Sequence, residues 1–320
     1  MKKSFVLLLL ATTAFTISCR SGQYNNEVVK ETYIHKYGVP IPKSDWNKQG
    51  KDGKIVQLRR DGVTVSRSYA KGVMHGECTF TYPNTSTLHK TELYENGVLV
   101  GKKANYPNGL TLSEETFENE LISKRNYWYE DGAPQTVESY TDGLLTNGEY
   151  HSPNNIVEAR VKGGEGTRVI RNEEGVLVAR ESFEKSHRIE RVDYFPNGDP
   201  QSITPYLNNH IHGTRLTFCQ GGLPNSVEQW NHGLQEGTTM VYMNGEKVSE
   251  LPYVRGKREG IEKRFRDGAI LVEEVTWKED KQHGPCKIYS DGTSRTDYYH
   301  EGALVNKPTY ERLNPPHQHA

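Results

Sequence analysis

An aromatic residue returns along this chain about every 23 residues. It is followed three positions later by a glycine-like position and seven positions later by glycine. The anchors are Trp46, Tyr69, Tyr94, Phe117, Tyr140, Phe183, Tyr206, Trp230, Tyr253, Trp277 and Tyr299. Their spacings are 23, 25, 23, 23, 43, 23, 24, 23, 24 and 22 residues, so the 43-residue gap holds two units and the missing anchor falls near Val161. A fixed period of this length means one small unit repeated, each copy burying its apolar side only against its neighbours.

Each clear unit carries two turn signals separated by a short run. Tyr94-Glu95-Asn96-Gly97 leads through Gly101 to Tyr106-Pro107-Asn108-Gly109, and Tyr253-Val254-Arg255-Gly256 leads through Gly260 to Phe265-Arg266-Asp267-Gly268. Asn-Gly or Asp-Gly recurs at Asp61-Gly62, Asn96-Gly97, Asn108-Gly109, Asp131-Gly132, Asn197-Gly198, Asn244-Gly245, Asp267-Gly268 and Asp291-Gly292. These pairs supply the positive φ angles of a two-residue type I′ hairpin turn. The runs between them alternate, as in Thr239-Met240-Val241-Tyr242, which reads as strand. The expectation is all-β: an elongated, single-layer, twisted antiparallel sheet of about a dozen tandem hairpins, with the aromatics stacked along one face. At about 4.8 Å per strand, such an array is on the order of 100 Å long.

Composition agrees with a thin fold. Hydrophobic residues are 34% of the 320, too few for a thick core, yet aromatics reach 10% with 19 tyrosines, which a disordered chain lacks. The formal net charge is -1, and basic stretches such as Arg255, Lys257 and Arg258 are interleaved with Glu259 and Glu262, so no nucleic-acid partner is expected.

The first residues stand apart. Lys2 and Lys3 precede an apolar run from Phe5 to Phe15, 11 residues, which is too short to span a bilayer and has the pattern of a secretory signal peptide. It ends in Thr16-Ile17-Ser18-Cys19, which resembles a bacterial lipobox, although Thr16 stands where leucine is usual. That resemblance implies lipidation of Cys19, membrane attachment through acyl chains and a mature chain beginning there, with Arg20 leaning toward the outer membrane. Ordinary signal cleavage nearby, releasing a soluble protein, is the alternative. The expected organisation is a signal peptide at 1–18, a lipid-anchored spacer at 19–45 stiffened by Pro40 and Pro42, the repeat array at 46–310 and a disordered tail at 311–320.

The aromatic-x-x-Gly-x-x-x-Gly pattern with its following aromatic and Asn-Gly or Asp-Gly resembles the MORN repeat, and looks closest to the bacterial variant type. The resemblance covers about residues 46–310 and is weakest at Phe117–Gly132, where Asn119, Glu120 and Lys124 replace the expected residues, around Ala159–Gly175, and at Phe183–Glu190. It implies an elongated grooved sheet used for scaffolding, dimerisation or membrane contact, and assigns no residue a role.

A search for chemistry returns little. G-x-S-x-G, a Walker loop and G-x-G-x-x-G are absent, and Gly163-Gly164-Glu165-Gly166 reads as a loop or bulge between strands. His75, His212 and His283 each precede the seventh-offset glycine, a place filled by Glu236 and Glu259 in other units, and read as polar turn residues rather than metal ligands. His317 and His319 belong to the tail. Cys78 and Cys286 occupy equivalent places, nine residues after Tyr69 and Trp277; with Cys219 they read as partly buried thiols, none in a metal-ligand cluster. No catalytic residue, cofactor or metal is assigned. The expected function is an exported, lipid-anchored, non-enzymatic scaffold binding an unidentified protein at the bacterial cell envelope, as a possible homo-oligomer. The alternative is an envelope-polymer or carbohydrate binder using exposed aromatics, with Trp230 and Trp277 to test it. The units between Phe117 and Glu190 are where a bend or a ligand site is expected.

Overall fold

A computed structural model of the chain describes residues 27–290 and 292–315. The signal segment, Cys19, Asp291 and the His317 and His319 tail lie outside the described residues. The chain divides into two compact units, one ending at Gly109 and one beginning at Leu110.

The first unit contains seven strands among the described residues. Val28–His35 pairs with Gly53–Arg59, and the ladder continues through Thr64–Ala70, Val73–Thr81, Leu88–Glu95 and Val98–Asn105, every pair antiparallel. The stretch expected as spacer is therefore folded from Val28 onward. Pro40–Ile41 turns back onto Tyr33 and Ile34, and a short helix, Lys43–Lys48, follows Pro42. Proline is tolerated at a helix start because the missing N–H has no intrahelical partner there. Trp46 thus sits on a helix and not on a hairpin. It still fills the anchor's place, with its ring centroid 5.6 Å from that of Tyr33 and 6.1 Å from that of Tyr69.

The second unit begins at Thr111–Glu118 and runs hairpin by hairpin to Thr293–His300 and Ala303–Val305, again an open antiparallel ladder between chain neighbours. The irregular units keep this ladder. Gly163-Gly164 forms a hairpin turn, and Val161, 1% exposed, stands where the missing anchor was expected. A helix, Lys307–Leu313, extends into the stretch expected as a disordered tail. Asn306 caps it by accepting from Thr309 N at 2.9 Å, and Tyr310 stacks 5.4 Å from Tyr298.

The turns depart from expectation in an orderly way. On one rim both turn residues have positive φ, as type I′ demands: Asn96-Gly97, but also Lys71-Gly72, Asn208-Asn209, His232-Gly233, Arg255-Gly256 and Glu279-Asp280. On the other rim, Asn244-Gly245 and Asp267-Gly268 also have positive φ at both residues, whereas Asp61, Asn108, Asp131 and Asn197 do not and only the glycine after each does. There the acid or amide accepts from the backbone two residues on: Asp61 Oδ1 from Val63 N at 3.0 Å, Asp131 Oδ1 from Ala133 N at 2.8 Å. These are side-chain-closed turns that end in a left-handed glycine.

Candidate functional site

Within each compact unit, the anchors and every second residue before them share one face of that unit's sheet, because side chains alternate along a strand. In the clear units each anchor lies directly opposite the seventh-offset glycine of the preceding unit: Gly76 with Tyr94, Gly213 with Trp230, Gly237 with Tyr253, Gly260 with Trp277 and Gly284 with Tyr299. Each of these glycines has a positive φ, and a Cβ there would lie against the residue before the preceding anchor, as against Pro252 at Gly260 and Thr276 at Gly284; Val161 faces Gly148. Where Lys124 and Glu190 stand in place of the glycine, the following ring lies near a cation: the Arg125 guanidinium is 5.7 Å from the Tyr140 ring centre and that of Arg188 4.0 Å from Tyr206. The rings are half-buried or buried, not exposed. Trp277 is 9% exposed and holds the Arg258 guanidinium 3.8 Å from its ring centre. The exposed aromatic ladder expected for sugar stacking is therefore not what the sheet presents.

Under the rings runs a row of carboxylates that the motif search passed over. Glu92, Glu115, Glu138, Glu181 and Glu228 each stand two residues before an anchor, and the 23-residue steps from Glu92 to Glu115 to Glu138 were the available signal. Tyr94 donates to Glu92 at 3.1 Å, Tyr140 to Glu138 at 2.5 Å and the Trp230 indole to Glu228 at 2.9 Å. The densest part falls in the irregular units. Glu138 and Glu181, 2% and 3% exposed, are bridged by Arg168 at 2.8 and 3.4 Å, and Arg188 and Arg191 reach Glu181 at 2.7 and 2.9 Å. Tyr150 closes over Glu138 with its hydroxyl at 2.9 Å.

The electrostatics follow from this crowding. Burial alone would raise the Glu181 carboxyl, but the hydrogen bond from Arg188 and the charges of Arg168 and Arg188 hold it below the ordinary carboxylate value. Glu262 behaves alike: burial opposes ionisation, while Arg264, the Trp277 indole at 2.8 Å and Ser249 at 2.9 Å favour it. Burial and Glu138 push the Tyr140 and Tyr150 phenols well up, so both stay neutral donors. The Glu181 and Glu262 carboxylates are held in their charged form by several donors each, an arrangement that fixes charge in place rather than transferring protons.

The histidine and glutamate column resolves into a second device on the type I′ rim. The first turn residue of one unit donates its backbone N–H to a side chain of the unit before it. Asn96 donates to His75 Nδ1 at 3.2 Å, His232 to His212 Nδ1 at 3.4 Å, Arg255 to Glu236 at 2.8 Å, Glu279 to Glu259 at 2.8 Å and Glu301 to His283 Nδ1 at 3.3 Å. The second turn residue donates to a backbone carbonyl of that same earlier unit: Gly97 to Met74, Gly233 to Ile211, Gly256 to Gln235, Asp280 to Arg258 and Gly302 to Gln282, at 2.7 to 3.1 Å. Both exposed amides of each turn are thereby satisfied. His283 also donates from Nε2 to Asn314 Oδ1 at 3.0 Å, tying down the terminal helix.

Among the cysteines, Cys78 and Cys286 are buried and Cys219 is exposed, which departs from the expected partial burial of all three; none is in a disulfide. Burial raises the Cys78 thiol, and burial together with a hydrogen bond to Glu273 pushes Cys286 up to about 12, so both are inert as nucleophiles.

The family model described as MORN repeat matches residues 68–87 and 276–294, two stretches that cross the Tyr69 and Trp277 anchors. No curated protein matches the chain. Among solved structures, the chain is similar to a porin-like protein from Bacteroides uniformis, at 8% identity over 77% of this chain and 89% of that one, with a TM-score of 0.16. It is also similar to the structure of TcdB2-TccC3, at 11% identity over 83% of this chain and 19% of that one, with a TM-score of 0.16.

Proposed function

From a chain that carries MORN repeats and folds as a repeat scaffold, we propose an exported, lipid-anchored, non-enzymatic scaffold that binds protein at the bacterial cell envelope. The observation that carries the reading is where the reactive side chains go. The glutamates hold arginines and rings within the sheet, and the column of histidines and glutamates caps turn amides of the next unit. Both uses maintain a regular surface across many strands, which is what a scaffold presents. Cys19 is the lipidation site in this reading, and acyl chains supply the attachment to membrane.

Metabolic labelling with a fatty acid tests the anchor. Label on the wild type, absent from Cys19→Ala, supports it; equal label on both removes it. In-cell crosslinking of the anchored chain then tests the scaffold, and a specific envelope protein recovered with it supports that part. The carbohydrate reading is disfavoured because Trp230 and Trp277 direct their indole N–H groups at Glu228 and Glu262 and keep their rings against the sheet.

A further inference from the structure

The face opposite the aromatics carries one row whose order is not accounted for by holding the sheet together. Through consecutive cross-strand partners it reads Arg180, Val192, Ile203, Leu216, Val227, Met240, Glu250. Five apolar side chains thus lie side by side on five adjacent strands, bounded by a cation at one end and an anion at the other. Exposed apolar residues elsewhere on this face, such as Val137 and Ile261, stand singly and do not form such a row. Beyond Glu250 the same row continues as Lys263, Glu274, Lys287 and Thr296, the alternation expected of a solvated sheet surface. Among the described residues Arg180 has no ion-pair partner, is exposed, and stands at the edge of the apolar stripe. Met240 is 36% exposed, and the four other apolar residues are half-buried only by their own neighbours in the sheet.

The row is self-complementary about Leu216. A two-fold axis in the interface plane, parallel to the Leu216 strand, reverses the strand order and keeps the position along the strand. Leu216 then meets Leu216 of the second copy, Ile203 meets Val227, Val192 meets Met240, and Arg180 meets Glu250. The adjoining row passes the same test: Thr214 meets itself, Pro205 meets Gln229 and Glu190 meets Thr238, with no like charges opposed. Seven strands at about 4.8 Å spacing span roughly 29 Å. With five residues along each strand, two such faces bury on the order of 1,000 Å² in total, the size of a weak, reversible interface. Aligned sheets pack in this manner, through interdigitated aliphatic side chains.

We propose that this face is a homodimer interface: a second copy of the chain packs on it about a two-fold axis through Leu216, closed at both ends by Arg180–Glu250 pairs. The inference names one partner of the scaffold, and its failure would leave the envelope-protein reading standing, since that reading rests on crosslinking and not on self-association. Glu250 already touches Lys247 Nζ at 2.6 Å within its own chain, so the end pairs set register more than affinity.

Sedimentation of the full chain without its lipid, at micromolar concentrations, should show a reversible dimer. Arg180→Glu should weaken it roughly tenfold by opposing two carboxylates. Glu250→Arg should do the same, and the two exchanges together should restore it. A structural role confined to one chain predicts no such rescue. In a Cys219→Ser background, Leu216→Cys should form a disulfide-linked dimer on mild oxidation, whereas Thr276→Cys, on the same face but off the stripe, should not. A wild type that stays monomeric overturns the proposal, as does a dimer indifferent to Arg180→Glu. Leu216→Cys that crosslinks no better than Thr276→Cys overturns it too. A monomer in which Leu216→Lys abolishes recovery of an envelope protein assigns the stripe to that partner and equally removes the homodimer.

Discussion

Glu262 shows how single residues hold a sheet with little hydrocarbon. It is 6% exposed, yet stays ionised because Ser249, Arg264 and Trp277 all direct donors at it. Trp277→Phe keeps an aromatic ring but deletes one donor to a buried carboxylate together with part of the buried indole, which should cost about 2–3 kcal/mol, measurable by urea unfolding. Removal of only the stacking with Arg258 would cost under about 1 kcal/mol. The same chemistry sets the response to acid. The Glu181, Glu228 and Glu262 carboxyls are held below their ordinary value of 4.5, so the unfolded chain takes up protons more readily than the folded one. Their stabilisation is complete above that value and is lost as pH falls through the depressed folded values. Stability should therefore decline steeply below about pH 4.5, and Glu181→Gln should flatten that decline while lowering stability at neutral pH. None of these partners was legible in the chain one residue at a time. The glutamates recur in phase with the rings, and Arg168 and Arg191 stand 23 residues apart, but pairing goes both ways along the chain: Arg168 reaches Glu181 13 residues ahead and Arg191 reaches the same Glu181 10 residues behind, which only the strand register decides.

At the scale of the hairpin, two positions matter most. Gly284 has φ of +119°, and a Cβ there would lie 3.1 Å from two carbons of the Thr276 side chain, opposite Tyr299. Gly284→Val should destabilise the chain by about 2–3 kcal/mol through backbone strain and crowding against the Thr276 side chain. The other position is the cap. Glu259→Ala removes the acceptor for the Glu279 amide, at a cost of about 1 kcal/mol. Hydrogen exchange should then quicken at Glu279 and not at Arg255, whose amide is held by Glu236. The period marked where turns fall, but not which kind. Asn-Gly takes positive φ at both residues in Asn96-Gly97 and only at the glycine in Asn108-Gly109. Loop length sets the angles: Asn96-Gly97 joins the paired Glu95 and Val98 and Asn244-Gly245 the paired Met243 and Glu246, both with two positive φ, whereas Asn108-Gly109 sits in the longer loop between Asn105 and Thr111. Conversely Glu279-Asp280 and Lys185-Ser186 adopt type I′ angles without any glycine, because the preceding unit supplies acceptors for the turn.

Within each unit of the molecule, strands touch mainly their neighbours in the chain. Such ladders behave as sums of local terms. Deleting residues 231–253 joins Trp230 to Val254 and removes one period in phase. The shortened chain should remain folded, with a urea m-value reduced roughly in proportion to the surface removed. It should also lose the self-association, because Met240 and Glu250 leave with the period. The all-β repeat architecture was legible because turn residues and aromatics recur at fixed offsets. The Arg180 to Glu250 row was not, since its members are 12, 11, 13, 11, 13 and 10 residues apart and become adjacent only through the bulged register.

The capping of each turn by the unit before it gives the array a direction of assembly. A chain is synthesised from its N-terminus, so every new turn emerges after the strand that will receive its two amides. Growth can proceed hairpin by hairpin on a finished template, and no hairpin waits for sequence still to come. Shortening from the two ends should then be unequal. A chain ending after Val254 keeps the acceptors for its last complete capped turn on this rim, His232-Gly233, whereas a chain beginning at Val254 starts with Arg255-Gly256 stripped of Glu236 and Gln235.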